Sequence, residues 1–480
     1  SDFPVIGNFQ KLEQSVPFFP NAQTGIAAYM SQAITIDQFG FIHRAWVQQR
    51  GTVNTDNGAF ATPVYGVVYA KSVDGGDTFL DTVSVSGTLR FDMITTSLSN
   101  QSGYSTVDIV VDGRGNPRVV YAMDHSPDGI TGGRRANQTT ARSARKGYDN
   151  IYFNYSNDGG SSWLPGNNAV VINDTGTVLG RSNAFPRMAI TSTDDCFIVY
   201  EREINRTATA VTNEDIIVAK VDADSLTGGS AQAVAIGSLG YSTTGRGGVR
   251  IDNDGIDGRS PDIAIGDDDI IHVTWYTADG TNAIAHKTVP ASLWDDVSAS
   301  GWAQGVAGDI VGTFEDNVAN NIGVGPSTAI RATDRTNGGR SSDRVGNATN
   351  ELRPFPTVVV DKQRSPDRIF VLWKHTDAAG AGSFGNAENI NYDFYDYDGG
   401  IGAGNFDGTP TQAFPTHTTA AATFTGSTPG PLFQHNSSYQ IENHWAFADR
   451  VAAVFDDRRA NQGDLHIVFS AGGSNDIVSR

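Results

Sequence analysis

Three arginines in this chain each stand shortly ahead of a segment in which apolar and polar residues alternate. They are Arg181, Arg259 and Arg353, and the first two share the tripeptide Gly-Arg-Ser. A guanidinium group presents paired N–H donors that match a carboxylate or a sulfate in a bidentate arrangement. If the three segments converge, the arginines form a binding site for an anion. The other interpretation is that each arginine pairs with a carboxylate of a neighbouring loop.

Further polar residues follow segments of the same kind. Asp124 precedes His125, Arg202 lies between two glutamates, and Tyr276 ends another segment. A histidine beside a carboxylate can accept or donate a proton near neutral pH, which makes His125 a candidate general base supported by Asp124. A lone histidine is more often an ordinary loop residue. We expect Arg202 and Tyr276 to contact a ligand.

A possible cation site lies in the stretch 252–258, whose sequence is Asp-Asn-Asp-Gly-Ile-Asp-Gly. Asp252, Asp254 and Asp257 bring three carboxylates around glycine turns, and Ca²⁺ prefers such oxygen ligands. The glutamate that completes an EF-hand loop is missing, so a plain Asx-turn is the other interpretation. The spacing of Cys and His is not that of a zinc site.

The segments that must position these residues recur along the chain. Each has an alternating strand, a short polar turn, a second strand and then a third. Alternation with a period of two indicates strands rather than helices. The repeats begin near residues 28, 104, 184, 259, 353 and 443. This pattern predicts an all-β fold, a six-bladed β-propeller in one domain over residues 1–480, with seven blades as the alternative.

The end of the chain raises the question of how such a ring closes. We expect no fourth strand after Ser470, so the segment near residues 5–14, within a lead of 1–25, is predicted to supply it. Closure would remove the open sheet edges that favour aggregation. If this N-terminal strand pairs with a neighbouring subunit instead, the same residues would build a polymer by strand addition.

One short motif occurs twice, at residues 72–79 and 156–163, and both copies fit S-x-D-G-G-x-[ST]-[FW]. The aspartate can accept hydrogen bonds from its own turn, the glycines can adopt positive φ, and the aromatic residue can pack beneath. The motif resembles the Asp-box, or BNR repeat, of sialidases and related β-propellers. In that family the Asp-box follows the third strand, on the face away from the site. The resemblance implies that the functional face here lies where first strands begin and second strands end.

Charge supports an anionic ligand at that face. The chain has a formal net charge of −19, yet the loops 126–150 and 329–344 are rich in arginine. A basic surface on an acidic protein attracts anions locally, although these loops could also pair with their own aspartates. Aromatic residues are not interleaved with these charges, so nucleic acid is not an expected partner.

The resemblance to sialidases also implies catalytic residues. That family uses an arginine triad and a tyrosine nucleophile paired with a glutamate; Tyr439 with Glu442 is the matching pair, and Arg181, Arg259 and Arg353 could form the triad. The family's Arg-Ile-Pro motif has no counterpart at residues 29–32. A second enzymatic interpretation is eliminative cleavage of a uronic-acid polysaccharide. Elimination needs an arginine to neutralise the carboxylate and a base such as His125 or Tyr276 to remove a ring proton.

We therefore expect a secreted or cell-surface protein that binds an acidic polysaccharide and leave open whether it cleaves it, as a glycoside hydrolase or a polysaccharide lyase. The alternative is a non-catalytic glycan-binding module or a subunit of a cell surface, sheath or fibre. The start at Ser1 suggests a trimmed product or an exported mature form. Nothing in the sequence predicts a membrane span, calcium is the one cofactor considered, and the single Cys196 is expected to be a buried thiol.

Overall fold

The structure is a computed structural model of the chain. It describes residues 32–55, 60–87, 91–92, 107–124, 149–164, 170–172, 183–204, 213–226, 248–251, 258–277, 283–293, 322–324, 356–362, 367–375, 389–396, 433–434, 452–456, 464–471 and 476–479. These residues form β-strands and two short 3₁₀ helices, Ala223–Leu226 and Ala291–Leu293, and contain no α-helix. The all-β prediction is therefore confirmed. Within the described ranges, no helix is both long and apolar enough to cross a membrane.

The described strands form six antiparallel sheets in chain order. Sheet 1 contains β1 (Gln32–Ile36), β2 (Ile42–Thr55), β3 (Phe60–Ser72), β4 (Val83–Ser84) and β5 (Phe91–Asp92). Sheet 2 contains β6 (Val107–Val111), β7 (Pro117–Asp124), β8 (Asp149–Tyr155) and β9 (Val170–Val171). Sheet 3 contains β10 (Asn183–Ile190), β11 (Cys196–Ile204), β12 (Asn213–Val221) and β13 (Val249–Arg250).

In sheets 2 and 3 each strand pairs with the next one along the chain, whereas in sheet 1 β5 pairs with β3. The remaining three sheets pair in the same way as sheets 2 and 3. Sheet 4 contains β14 (Gly258–Ile265), β15 (Ile270–Thr277), β16 (Ala283–Pro290) and β17 (Ile322–Val324). Sheet 5 contains β18 (Thr357–Asp361), β19 (Arg368–His375), β20 (Asn389–Asp396) and β21 (Phe433–Gln434). Sheet 6 contains β22 (Ala452–Asp456), β23 (Asp464–Ala471) and β24 (Asp476–Ser479).

Sheet 6 corrects one prediction. A strand does follow Ser470, because β24 pairs antiparallel with β23 from Ala471↔Asp476 to Val468↔Ser479. The place next to β23 that was predicted for residues near 5–14 is thus taken by β24, and the N-terminal segment itself lies outside the described residues.

Each sheet packs on the next along the chain. The first described strands of successive sheets contact one another in the order β1, β6, β10, β14, β18 and β22. Apolar clusters fill the spaces between the first four sheets: Val47 and Tyr121 belong to the cluster between sheets 1 and 2, and Phe153 and Ile198 to the next. Trp275 completes the third cluster, between sheets 3 and 4. Burial of these side chains is the main force that holds the sheets together.

The turns that join first and second strands define one end of the sheets, here called the turn end. Asp37 Oδ1 accepts the N–H groups of Phe39 and Phe41, and Asp112 Oδ1 repeats this pattern in sheet 2. Neighbouring turns are also joined: the Gly113 N–H donates to Asp194 Oδ1 over 2.8 Å. The turn end is therefore a continuous hydrogen-bonded rim across the first sheets.

The two S-x-D-G-G turns also lie at the turn end, each after the third strand of its sheet. Asp158 Oδ1 accepts the N–H of Ser162 over 2.8 Å, and the Gly160 N–H donates to the Ser156 hydroxyl over 2.8 Å. Gly160 has φ +98°, and a Cβ there would overlap the Tyr69 ring. Trp163 is buried against that ring, with centroids 5.1 Å apart. The predicted turn geometry is confirmed, and the opposite end of the sheets is the one where function was expected.

Candidate functional site

The first strands of sheets 3 and 4 begin with the same irregularity, at the end opposite the turns. The register skips between Ala184 and Arg187 in β10 and between Arg259 and Asp262 in β14, which marks a β-bulge in each. We call this the bulge end. Bulges next to functional sites often redirect a side chain.

Each bulge contains a strained backbone. Phe185 and Ser260 both have φ +52°, and both directly precede a proline. A left-handed conformation costs a residue with a Cβ about 1–2 kcal/mol, and a following proline restricts the backbone further. The same strain in two neighbouring sheets is a reason to look for function at this end.

The bulge in sheet 4 brings together two residues that the sequence singled out. Arg259 on β14 is the cross-strand partner of Tyr276 on β15. The corresponding pair in sheet 3 is Ala184 with Glu201. The register thus places Arg259 and Tyr276 opposite each other at the bulge end of sheet 4.

A buried carboxylate holds the sheet 4 bulge. The Ser260 N–H donates to Glu201 Oε2 over 3.0 Å, across the interface between sheets 3 and 4. Glu201 is 1% exposed and Ser260 is fully buried. The strained residue therefore has a hydrogen-bond partner that belongs to the preceding sheet.

A charged network fixes the other side of the same bulge. Arg187 Nε donates to Asp262 Oδ1 over 2.8 Å, and Arg187 Nη1 lies 3.3 Å from Asp108 Oδ1. The Asp262 Oδ2 atom accepts the Val358 N–H over 3.0 Å. Burial lowers the pKa of Arg187, but the two carboxylates outweigh it and leave the pKa raised. This guanidinium is a link between sheets 2, 3 and 4.

Arg202, which we predicted to bind a ligand, takes part in packing. Its side chain is 4% exposed, and Nη2 lies 3.4 Å from Asp215 Oδ2 on the neighbouring strand. A guanidinium that is buried and paired in this way has its charge balanced within the fold. In this arrangement it offers no surface to a polysaccharide.

The other predicted site residues are described in part or lie outside the described ranges. Asp124 is placed at the end of β7, where its cross-strand partner is Asp149. Outside the described residues lie Arg181, Arg353, His125, Tyr439, Glu442, Asp252, Asp254 and Asp257. Among the residues that the structure describes, no group of three or more His, Cys, Asp or Glu side chains could hold a metal ion.

The sequence did not reveal one chemically suggestive arrangement. His43 Nδ1 lies 2.7 Å from the Tyr69 hydroxyl, and His43 Nε2 lies 3.0 Å from Asp37 Oδ2. A carboxylate, an imidazole and a hydroxyl in this order can activate a nucleophile. Here, however, His43 is fully buried and Tyr69 is 2% exposed. Burial, with Asp37 and Asp158, raises the pKa of Tyr69. The Tyr69 hydroxyl also lies 3.4 Å from the Gly159 carbonyl oxygen, so this group of sheet 1 contacts the S-x-D-G-G turn of sheet 2.

Cys196 is a second buried group without a chemical role. It is fully buried at the start of β11, and burial raises the pKa of its thiol to about 12. A thiol that stays protonated and closed to solvent is a poor nucleophile. The prediction of a buried core thiol is confirmed.

Comparison with known proteins gives only distant similarities. No protein-family model matches the sequence, and no curated protein matches it. Among solved structures, an ulvan lyase from a new polysaccharide lyase family has 9% identity and a TM-score of 0.42, over 93% of this chain and 77% of that one. A mutant NanB sialidase from Streptococcus pneumoniae has 9% identity and a TM-score of 0.42, over 94% of this chain and 67% of that one. The Hadza microbial sialidase Hz136 has 9% identity and a TM-score of 0.41, over 77% of this chain and 57% of that one. At these TM-scores the similarities carry no argument about the activity of this chain.

Proposed function

We propose that the chain is a six-bladed, sialidase-like β-propeller whose bulge end binds an acidic polysaccharide. The observation that carries the proposal is the pairing of Arg259 with Tyr276 at a strained bulge. Six sheets in the described part of the chain, packed in sequence through their first strands, are the arrangement that a propeller needs.

The residue types favour an acidic sugar. An arginine can hold a uronate carboxylate or a sulfate through two parallel hydrogen bonds, and a tyrosine ring can stack on a sugar face. The chain leaves β7 and returns to β8 at the bulge end through residues 125–148, which include Arg134, Arg135, Arg142, Arg145 and Lys146. Their charge adds to the attraction for a polyanion.

Cleavage is the enzymatic form of the same proposal. His125 follows β7 directly, so it would act from the bulge end as the base in an elimination, with Arg259 neutralising the uronate. Tyr439 and Glu442 are the nucleophile pair of the hydrolytic route, with Arg181 and Arg353 completing the arginine set. Calcium at Asp252, Asp254 and Asp257 would lie in the stretch that leads into β14. Secretion or display at the cell surface suits such a ligand.

Affinity measurements test the binding proposal. The purified protein is titrated by calorimetry with a polyuronate, a sulfated polysaccharide, a sialylated glycan and a neutral glucan. We expect at least one acidic polymer to bind and the neutral glucan not to. Arg259→Ala should weaken binding at least about tenfold, which is about 1.4 kcal/mol. Arg114→Ala removes an exposed arginine at the turn end and should leave affinity unchanged.

The same samples separate an enzyme from a binding module. Growth of the absorbance of an unsaturated uronate identifies a lyase, and new reducing ends without it identify a hydrolase. Binding with neither product identifies a glycan-binding module. Absence of binding to every acidic polymer, or equal loss in Arg114→Ala and Arg259→Ala, would contradict the proposal.

A further inference from the structure

The position of Arg259 depends on a backbone that is unfavourable by itself. Ser260, the next residue, has φ +52° and precedes Pro261. The register gains an extra residue here, since Arg259 pairs with Tyr276 while Asp262 pairs with Thr274. Loss of the bulge would shift the register by one residue, so Arg259 would no longer be paired with Tyr276.

The bulge is held from both sides. Asp262 is fixed by Arg187 and by the Val358 N–H, over 2.8 and 3.0 Å. On the other side the Ser260 N–H reaches Glu201 Oε2 over 3.0 Å. A buried N–H without an acceptor costs about 1–3 kcal/mol. Removal of the Glu201 carboxylate would therefore add this cost to the strain that Ser260 already carries.

Glu201 also belongs to the corresponding place in sheet 3. It is the cross-strand partner of Ala184, the residue that precedes the strained Phe185. One buried side chain thus lies opposite the first bulge and bonds to the second.

We propose that Glu201 is a positioning residue, whose carboxylate holds the Ser260 bulge and thereby keeps Arg259 paired with Tyr276 for the polysaccharide. The inference rests on the proposed function. Binding groups must be held within about 0.5 Å of their productive geometry by the residues that support them, so a residue that fixes the bulge matters for affinity.

Three variants and a control test the inference. Glu201→Leu removes the acceptor, Glu201→Gln retains one in its amide oxygen, and Ser260→Gly added to Glu201→Leu makes positive φ inexpensive. Asp195→Ala is the control, since Asp195 accepts the Ala223 N–H over 2.8 Å in the same sheet but at the turn end. Affinity for the acidic polysaccharide, melting temperature and hydrogen exchange at the Ser260 amide are measured for each.

The expected pattern separates positioning from simple stabilisation. Glu201→Leu should bind at least about tenfold more weakly and exchange its Ser260 amide faster. Glu201→Gln should stay within about threefold of the wild type, and Ser260→Gly should restore most of the lost affinity. Asp195→Ala should lower the melting temperature without changing affinity. If Glu201→Leu does not fold, Glu201→Asp, whose shorter side chain falls short of Ser260, takes its place.

Two results would overturn the inference. One is wild-type affinity in Glu201→Leu, and the other is a Ser260 amide that stays as protected as in the wild type. If the wild-type protein binds no acidic polysaccharide, the proposed function fails by itself. A crystal structure of Glu201→Leu then tests the positioning role of Glu201. A bulge that is retained, with positive φ at Ser260, would refute this role. A β14–β15 register without the bulge would support it.

Discussion

Structurally equivalent positions in successive sheets are occupied by residues of different chemical type. Counted from the turn, the second pair between the first and second strands contains His43 in sheet 1, Arg118 in sheet 2, Phe197 in sheet 3 and His272 in sheet 4. Arg118 is buried and donates to Asp112 over 2.9 Å, while His43 bonds to Asp37 and Tyr69. The repeat therefore determines the position of the contact, whereas the kind of interaction differs from sheet to sheet.

The binding site makes a prediction that depends on guanidinium geometry. Arg259→Lys keeps the charge but loses the planar fork that matches a carboxylate or sulfate. We expect affinity for the acidic polysaccharide to fall at least about fivefold, closer to Arg259→Ala than to the wild type, because a bidentate contact becomes a single one. Calorimetry at fixed salt measures this, with Arg114→Lys as the matched control. Full affinity in Arg259→Lys would show that Arg259 acts through charge alone.

Buried histidines make stability depend on pH. His272 and His286 stack with centroids 5.5 Å apart on the face of sheet 4 that carries Asp262. Burial lowers the pKa of His286 to about 3 and that of His272 well below its usual value. Below about pH 6.5 both histidines are protonated in the unfolded chain but remain neutral in the folded protein. The free energy of unfolding therefore falls by about 1.4 kcal/mol for each histidine and for each unit by which the pH is lowered.

Urea unfolding at pH 7 and pH 5 measures this loss. His286→Gln should lose less stability between the two pH values than the wild type. Asp367 acts in the opposite direction, because burial and Asp268 raise its pKa to about 6 and the folded state gains a proton as the pH falls. Asp367→Asn should therefore make the acid loss steeper. If the free energy of unfolding changed equally with pH in the wild type, His286→Gln and Asp367→Asn, the pKa shifts of His286 and Asp367 would be contradicted.

Elements that depend on local chemistry could be read from the sequence, and those that depend on neighbouring sheets could not. The alternation of apolar and polar residues predicted the strands, and the S-x-D-G-G motif predicted its turn, because both features depend on interactions within a few residues. The bulges at Phe185 and Ser260 were missed, since Ala184-Phe185-Pro186 and Arg259-Ser260-Pro261 share only a proline. Arg202 was placed on a ligand-binding surface because its partner Asp215 comes from another strand. Cross-strand partners become known only with the register.

The S-x-D-G-G turn of sheet 2 provides a test at the scale of elements. Gly160→Ala would combine a left-handed backbone with an overlap on the Tyr69 ring, and we expect a loss of at least about 2 kcal/mol. Gly75→Ala is the matched control in the turn of sheet 1, where φ is +75° and nothing lies within 4 Å of the added Cβ. It should cost about 1 kcal/mol. Equal losses in urea unfolding would show that the contact with Tyr69 does not matter.

At the scale of the whole molecule, the arrangement of sheets in sequence makes its outer strands important. Each described sheet is covered by its neighbour along the chain, and β24 forms an edge of sheet 6 by pairing with β23. An unpaired strand exposes a row of N–H and C=O groups that can pair with another chain. The short β24 is thus both a part of the last sheet and a cover for β23.

Removal of β24 should therefore change the behaviour of the whole molecule. A chain that ends at residue 473 loses residues 476–479 and leaves one edge of β23 open. We expect a lower melting temperature and concentration-dependent association, because the exposed edge can add a strand from a second copy. Light scattering after size-exclusion chromatography measures the association, and a chain lacking only Arg480 is the matched control. A truncated protein that behaves like this control in mass and melting temperature would show that β24 contributes nothing to sheet 6. Association in the truncated protein alone would identify the outer edge of β23 as the surface through which this fold polymerises when it is left uncovered.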